Sequence, residues 1–284
     1  PIPVQAQAYS TSFTTSITYQ NVGDSATNGI IILFYATPST TTPISVTRPN
    51  LNSGESSSIF IGNLSEVNSG FQGSAVLQAD QPIVATLVQI PQNSSTVFVR
   101  PLSNGFSTGG STALIATVLK NTYGSNTKFS IQNIDSEVNN VNIKFYNTSA
   151  SLVHQIDQSI EAGAAYYVDT DKITELGASF NGSVVATAKR ADNSDGNIVG
   201  SALELDITLT GAKAFESVSS GATELFMPSA LCDMYGGQRT SYAIQNTSLT
   251  SSTSVTVTYE PGSYIVTKEI GPGSKASFSA CDTV

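Results

Sequence analysis

The only imidazole this chain can bring to acid–base or metal chemistry is His154. A nucleophilic relay would have to pass through it, yet the sequence holds no Gly-x-Ser-x-Gly turn to expose a strained serine. One histidine also excludes a histidine-rich metal centre. His154 stands in the run LVHQI and reads as an ordinary sheet residue. Paired carboxylates could hydrolyse a glycoside if two were fixed across a cleft. Glu66, Asp80, Asp169, Asp171 and Glu175 are the candidates, but they are scattered over turns, where acids are solvated. The run Asp192-Asn193-Ser194-Asp195-Gly196 is rich in oxygen donors of the calcium type. Placing Gly196 at loop position six puts Ala191 at position one, where a carboxylate is required. A hairpin turn at Asp195-Gly196 accounts for the same residues with nothing bound. No catalytic set, metal or cofactor is expected, and the chain reads as a non-enzyme.

Three other residue types could carry covalent or binding chemistry. Cys232 and Cys281 are the only cysteines. They fit either one disulfide formed in an oxidising compartment or two buried free thiols. A bridge would close a loop worth about 3–4 kcal/mol in the chain-entropy description. Sugar platforms favour exposed aromatics, tryptophan above all, and there is no Trp; Tyr123, Tyr166, Tyr167 and Tyr235 are left for that role. Asn-x-Ser/Thr sequons occur at Asn63, Asn93, Asn147, Asn181 and Asn246, about the number chance provides in so hydroxyl-rich a chain. Asn93 and Asn147, in turn-like contexts, are the better acceptors, whereas Asn181 belongs to a motif expected to be buried.

The elements that must position these residues are strands. Ser and Thr make up 73 of the 284 residues, and charged residues only 12%, about half the usual ~25% of soluble domains. β-Branched residues favour the pleated, half-buried surface of a sheet. Net charge is −9 and no Lys/Arg run reaches three, so a nucleic-acid groove is excluded. The longest apolar run, Ile30–Tyr35, is strand-length, far from the ~20 residues of a membrane helix. The chain opens with Pro1 rather than Met, the expectation for a mature form after removal of a signal peptide.

One phrase recurs three times: residues 16–21 (SITYQN), 128–133 (KFSIQN) and 241–246 (SYAIQN). Gln20, Gln132 and Gln245, each followed by an asparagine (Asn21, Asn133, Asn246), are 112 and 113 positions apart. After each comes an alternating strand ending in tyrosine, at Tyr35, Tyr146 and Tyr259, spaced by 111 and 113. Then Gly54, Gly163 and Gly273 mark a turn before a further strand. A fourth anchor occurs twice, Phe71-Gln72-Gly73-Ser74 and Phe180-Asn181-Gly182-Ser183, each leading into an apolar strand. A closing strand follows, at residues 83–89 and 198–203. Several short strands per ~100–110 residues, divided by Gly, Asn, Asp and Pro turns, predict an all-β fold of tandem antiparallel β-sandwich (Ig-like) domains. The repeats span 1–100, 101–214 and 215–284, the third incomplete. Segments 100–112 and 217–223 read as flexible linkers, and residues 169–176 as a short connector.

Carried onto the third repeat, the Phe-x-Gly-Ser glycine is due near position 292, so its last two strands are missing. Either the natural polypeptide continues, or a neighbouring subunit supplies them. An open sandwich is a template for an added strand. The segment 1–9, with Pro1, Ile2, Pro3, Val4, Ala6 and Ala8, is the candidate donor. Such head-to-tail contacts build filaments when they do not close.

These phrases resemble the tandem β-sandwich repeats of secreted bacterial or archaeal cell-surface and filament proteins. The resemblance implies an extracellular structural subunit that polymerises with itself, with a cell-surface adhesin or carbohydrate-binding module that takes a glycan as the alternative. It brings no catalytic residues.

Overall fold

A computed structural model describes residues 12–92, 99–206, 211–260 and 264–281. The donor segment at Pro1 and the sequon at Asn93 lie outside the described residues.

The protein is all-β, with every named sheet antiparallel. The first repeat contributes β1 (Ser12–Asn21), β2 (Ile30–Tyr35), β3 (Ile44–Arg48), β4 (Ser56–Phe60), β5 (Ser74–Ala79), β6 (Ile83–Gln92) and β7 (Leu102–Asn104). They form two sheets, ordered β4-β1-β6-β7 and β3-β2-β5. The alternation of β2 explains the packing: Ile30, Ile32 and Phe34 are buried, while Ile31 faces outward. These side chains meet Ile17 and Tyr19 of β1 in one core.

The second repeat contributes β8 (Thr112–Lys120), β9 (Ser125–Asn133), β10 (Asn139–Asn147), β11 (Leu152–Ile160), β12 (Ala165–Asp169), β13 (Phe180–Lys189), β14 (Ile198–Asp206) and β15 (Ala212–Glu216). Its sheets, β12-β9-β14-β15 and β11-β10-β13-β8, copy the order of the first, with β8 added beside β13. Phe129, Ile131, Ile143, Phe145 and Val184 are central to its core. The third repeat has β16 (Ser241–Gln245), β17 (Thr253–Tyr259), β18 (Tyr264–Ile270) and β19 (Lys275–Ser279), paired as β16-β19 and β17-β18. Register repeats as well: Gln20 pairs with Ser56, Gln132 with Ala165, and Gln245 with Lys275.

Several sequence expectations change. β7 and β15 follow the strands read as closing, and among the described residues β13, β14 and β15 have no counterparts in the third repeat. The segments read as flexible linkers are anchored by backbone bonds. Gly110 exchanges bonds with Ile198, and Val218 with Leu114. The connector after β12 consists of two 3-10 turns, Thr170–Lys172 and Thr174–Leu176. No helix among the described residues is long and apolar enough to cross a membrane.

Candidate functional site: the junctions between repeats

The recurring asparagine is a buried hub in each repeat. Its carboxamide NH2 donates to two backbone carbonyls across the β2-type connection: Asn21 to Ser25 and Leu51, Asn133 to Glu137 and Ile160, Asn246 to Ser251 and Ile270. Its Oδ1 accepts the amide two residues on, from Gly23, Asp135 and Ser248 respectively. Backbone groups stranded where the chain turns are thereby satisfied. The hub fixes the neighbouring turn, where Gly54, Gly163 and Gly273 all have positive φ, at 77°, 78° and 66°.

The recurring glutamine binds that turn. Nε2 donates to the glycine carbonyl at 2.9 Å for Gln20 and Gly54, 2.9 Å for Gln132 and Gly163, and 3.2 Å for Gln245 and Gly273. In the second and third repeats the same amide also reaches the preceding repeat, at the carbonyls of Ala75 and Val184. There the Phe-x-Gly-Ser serine answers it. Ser74 Oγ donates to the Gly163 carbonyl at 2.8 Å, and Ser183 Oγ to that of Gly273 at 2.7 Å. Each serine pairs across the sheet with the strand-ending tyrosine, Tyr35 or Tyr146. That ring lies against the incoming turn: a Cβ on Gly163 would stand 2.5 Å from Tyr35, and one on Gly273 2.9 Å from Tyr146. Burial pushes the pKa of both phenols upward. Gly73 and Gly182 admit the tyrosine backbone, since a Cβ there would fall about 2 Å from the Tyr35 or Tyr146 carbonyl oxygen. The anchors found as repeats thus form one clasp, used twice.

The first junction has an extra tie. Tyr167 is 38% exposed as a residue, yet its hydroxyl is enclosed against the Gly73 carbonyl, to which it donates at 2.5 Å. That enclosure pushes its pKa up to about 12. Beside this junction a cavity of about 1720 Å3 runs from the interior of the first repeat to the strands of the second, past Tyr19, Phe34, Phe106, Tyr166 and Lys172. It lies where the first repeat has, among the described residues, no counterpart of β8.

No family model, curated protein or solved structure matches this chain.

The other candidates are dispersed. Cys232 and Cys281 are joined in a disulfide, with Cα atoms 4.9 Å apart. His154 lies on β11 against the Phe145 ring. Asp192 holds Ser194 through its backbone amide and hydroxyl, a turn satisfied by its own residues. Asp169 ends β12 and Asp171 stands in the turn after it, with Glu175 in the next turn, while Glu66 and Asp80 belong to the first repeat. Asn147 Oδ1 is engaged by the amides of Ser149 and Ser151. Asn246 is 6% exposed, and its hub role occupies the nitrogen that a glycan would need. Of the tyrosines, Tyr166 packs on the core, whereas Tyr123 and Tyr235 are 79% and 81% exposed. The sequence reading missed that these two occupy matching turns. Both have positive φ, both precede a positive-φ glycine, and both follow an Asn or Asp with positive φ two residues earlier. The signal was legible as Asn121-Thr-Tyr-Gly and Asp233-Met-Tyr-Gly.

Proposed function

We propose that this chain is a structural subunit of an extracellular filament or surface array, built from tandem Ig-like β-sandwich units. The observation that carries the reading is the clasp. The same glutamine, turn glycine, serine and tyrosine meet at two successive junctions, and this repetition suits an extended array better than a catalytic cleft. The disulfide suits an oxidising, extracellular setting. Sparse charge favours close lateral packing, because few ions must be desolvated when subunits meet. Assembly with further copies proceeds head to tail by strand addition. β16 is joined to β19 alone among the described residues, whereas its counterpart β9 has strands on both sides. Leu225 and Phe226, which precede the core residue Met227, are 60% and 85% exposed, apolar surface open to a partner. Negative-stain microscopy of native material is the test. Regular polymers are expected, and uniformly monomeric particles would overturn the reading.

Adhesion is the second reading, favoured by Tyr123 and Tyr235 on their matching strained turns. Binding to a glycan array that is lost in Tyr123→Ala and Tyr235→Ala would establish it in place of the first.

A further inference from the structure

β13 is covered on both edges, by β10 and by β8, whereas β5, its counterpart in the first repeat, is paired with β2 alone among the described residues. The difference shows in burial. Val184 and Ala186 of β13 are fully buried, while the matching Ala75 and Leu77 of β5 are half-buried and line the cavity of about 1720 Å3. Ile17, Phe34 and Phe71 line it too, so the opening leads into the first core beside β5. An unpaired edge beside uncovered core is a template for one more strand.

Spacing decides which residues fit. Gln20 and Gln132 are 112 positions apart, so Val118 and Lys120 of β8 correspond to Ala6 and Ala8. Val118 stands opposite Gly182, whose counterpart is Gly73. A strand without the register shift of β8 then carries Ala6 opposite Gly73, Val4 opposite Ala75 and Ile2 opposite Leu77. Residues opposite each other share a face, and Ala75 and Leu77 pack on the core. Ile2, Val4, Ala6 and Ala8 therefore fall toward the core, and Gln5 and Gln7 away from it. Pro1 and Pro3 fall in what becomes the outermost strand, where proline is tolerated. We propose that residues 1–8 complete the chain's own first repeat, adding antiparallel to β5 in the place that β8 holds beside β13 and closing the cavity. Residues 9–11 before β1 are nearly as long a connection as 121–124, which turns from β8 into β9. So short a tether gives the chain's own segment a high effective concentration over one from a second copy. Held there, the segment is not free to complete the third repeat of another copy, and the strand that adds to β16 in a filament must be a different one. The tie needs no second copy and holds for a monomer as for a polymer.

The test is a cysteine pair, Val4→Cys with Ala75→Cys, in the full chain at a concentration low enough to keep copies apart. After mild oxidation and alkylation without reductant, no added thiol is expected to react, the chain should run as a monomer, and the digest should link positions 4 and 75. Bonds between two chains would overturn the proposal in favour of strand exchange, and alkylation of both new cysteines would overturn it outright. Hydrogen exchange gives a reading that needs no added bond. Val4→Asp, which aims a charge at the core, should speed exchange of the β5 amides about tenfold, whereas Gln5→Asp on the opposite face should leave it unchanged. Equal exchange in the wild type and Val4→Asp would likewise overturn the assignment. Polymers that form while positions 4 and 75 stay unlinked would sink this strand alone and leave the filament reading standing.

Discussion

Asn133 shows how one side chain can hold a connection together. It is fully buried, donates to Glu137 and Ile160, and accepts from the Asp135 amide at 2.8 Å and from Asn139 Nδ2 at 2.6 Å. Alanine there leaves several buried groups without partners, each costing about 1–3 kcal/mol when unmade. Asn133→Ala should lower stability by about 2–4 kcal/mol in urea denaturation, partly recovered if water enters the space. Next to the hub, the Arg190 guanidinium, bonded to Asp135 at 2.7 Å, holds that carboxyl below its ordinary value, against the opposing effect of burial. An acid depressed in the folded state binds its proton more readily when unfolded. Its contribution is therefore complete above the unfolded value of about 3.9 and is lost as pH falls through the lower folded value. The urea midpoint should fall more steeply below about pH 4 in the wild type than in Asp135→Asn. Equal slopes would mean that the pair adds nothing to stability.

Elements carry a different kind of constraint, set by backbone against backbone. Gly182 lies where the pairing of β13 with β8 shifts register, between Gly182 and Val184. A side chain at this position would collide with the Tyr146 carbonyl on β10. Gly182→Ala should cost about 2–3 kcal/mol, because relief requires β13 to move off β10. Calorimetry that showed an unchanged melting temperature would refute this. The strands themselves were legible wherever alternation was strong. β2 and β17 place Ile, Val and Phe inward and hydroxyls or a second apolar set outward, as their patterns predict. β7 and β15 escaped notice because short edge strands need only backbone partners and leave little pattern. The anchors were legible as repeats but not as a clasp. Gln132 touches Ala75, and Ser74 touches Gly163, contacts 57 and 89 residues apart in sequence that no local periodicity encodes. The Asn hubs were similarly visible as letters, while their purpose depends on carbonyls up to 30 residues distant.

Across the whole molecule, the three turn glycines form an internal experiment. Their φ values are alike, and each accepts its own glutamine, so the backbone penalty for a side chain should be alike too, about 1–2 kcal/mol in the left-handed region. Their surroundings differ. Gly54 is exposed, with open space where a Cβ would stand, whereas Gly163 and Gly273 are buried against Tyr35 and Tyr146. Gly54→Ala therefore measures the turn alone, and Gly163→Ala and Gly273→Ala measure the turn plus the junction. The latter two should lose a further ~1–3 kcal/mol, the usual cost of overpacking a contact that is already close. If the junctions couple the repeats, Gly163→Ala should also split one calorimetric transition into two, since the first repeat could then melt without the second. Ser74→Ala should act in the same direction but more weakly. It removes one bond to the Gly163 carbonyl, which keeps its bond from Gln132. Equal losses at all three glycines, with a single transition preserved, would show that the repeats are merely adjacent, and the mechanical continuity on which a filament role depends would be gone.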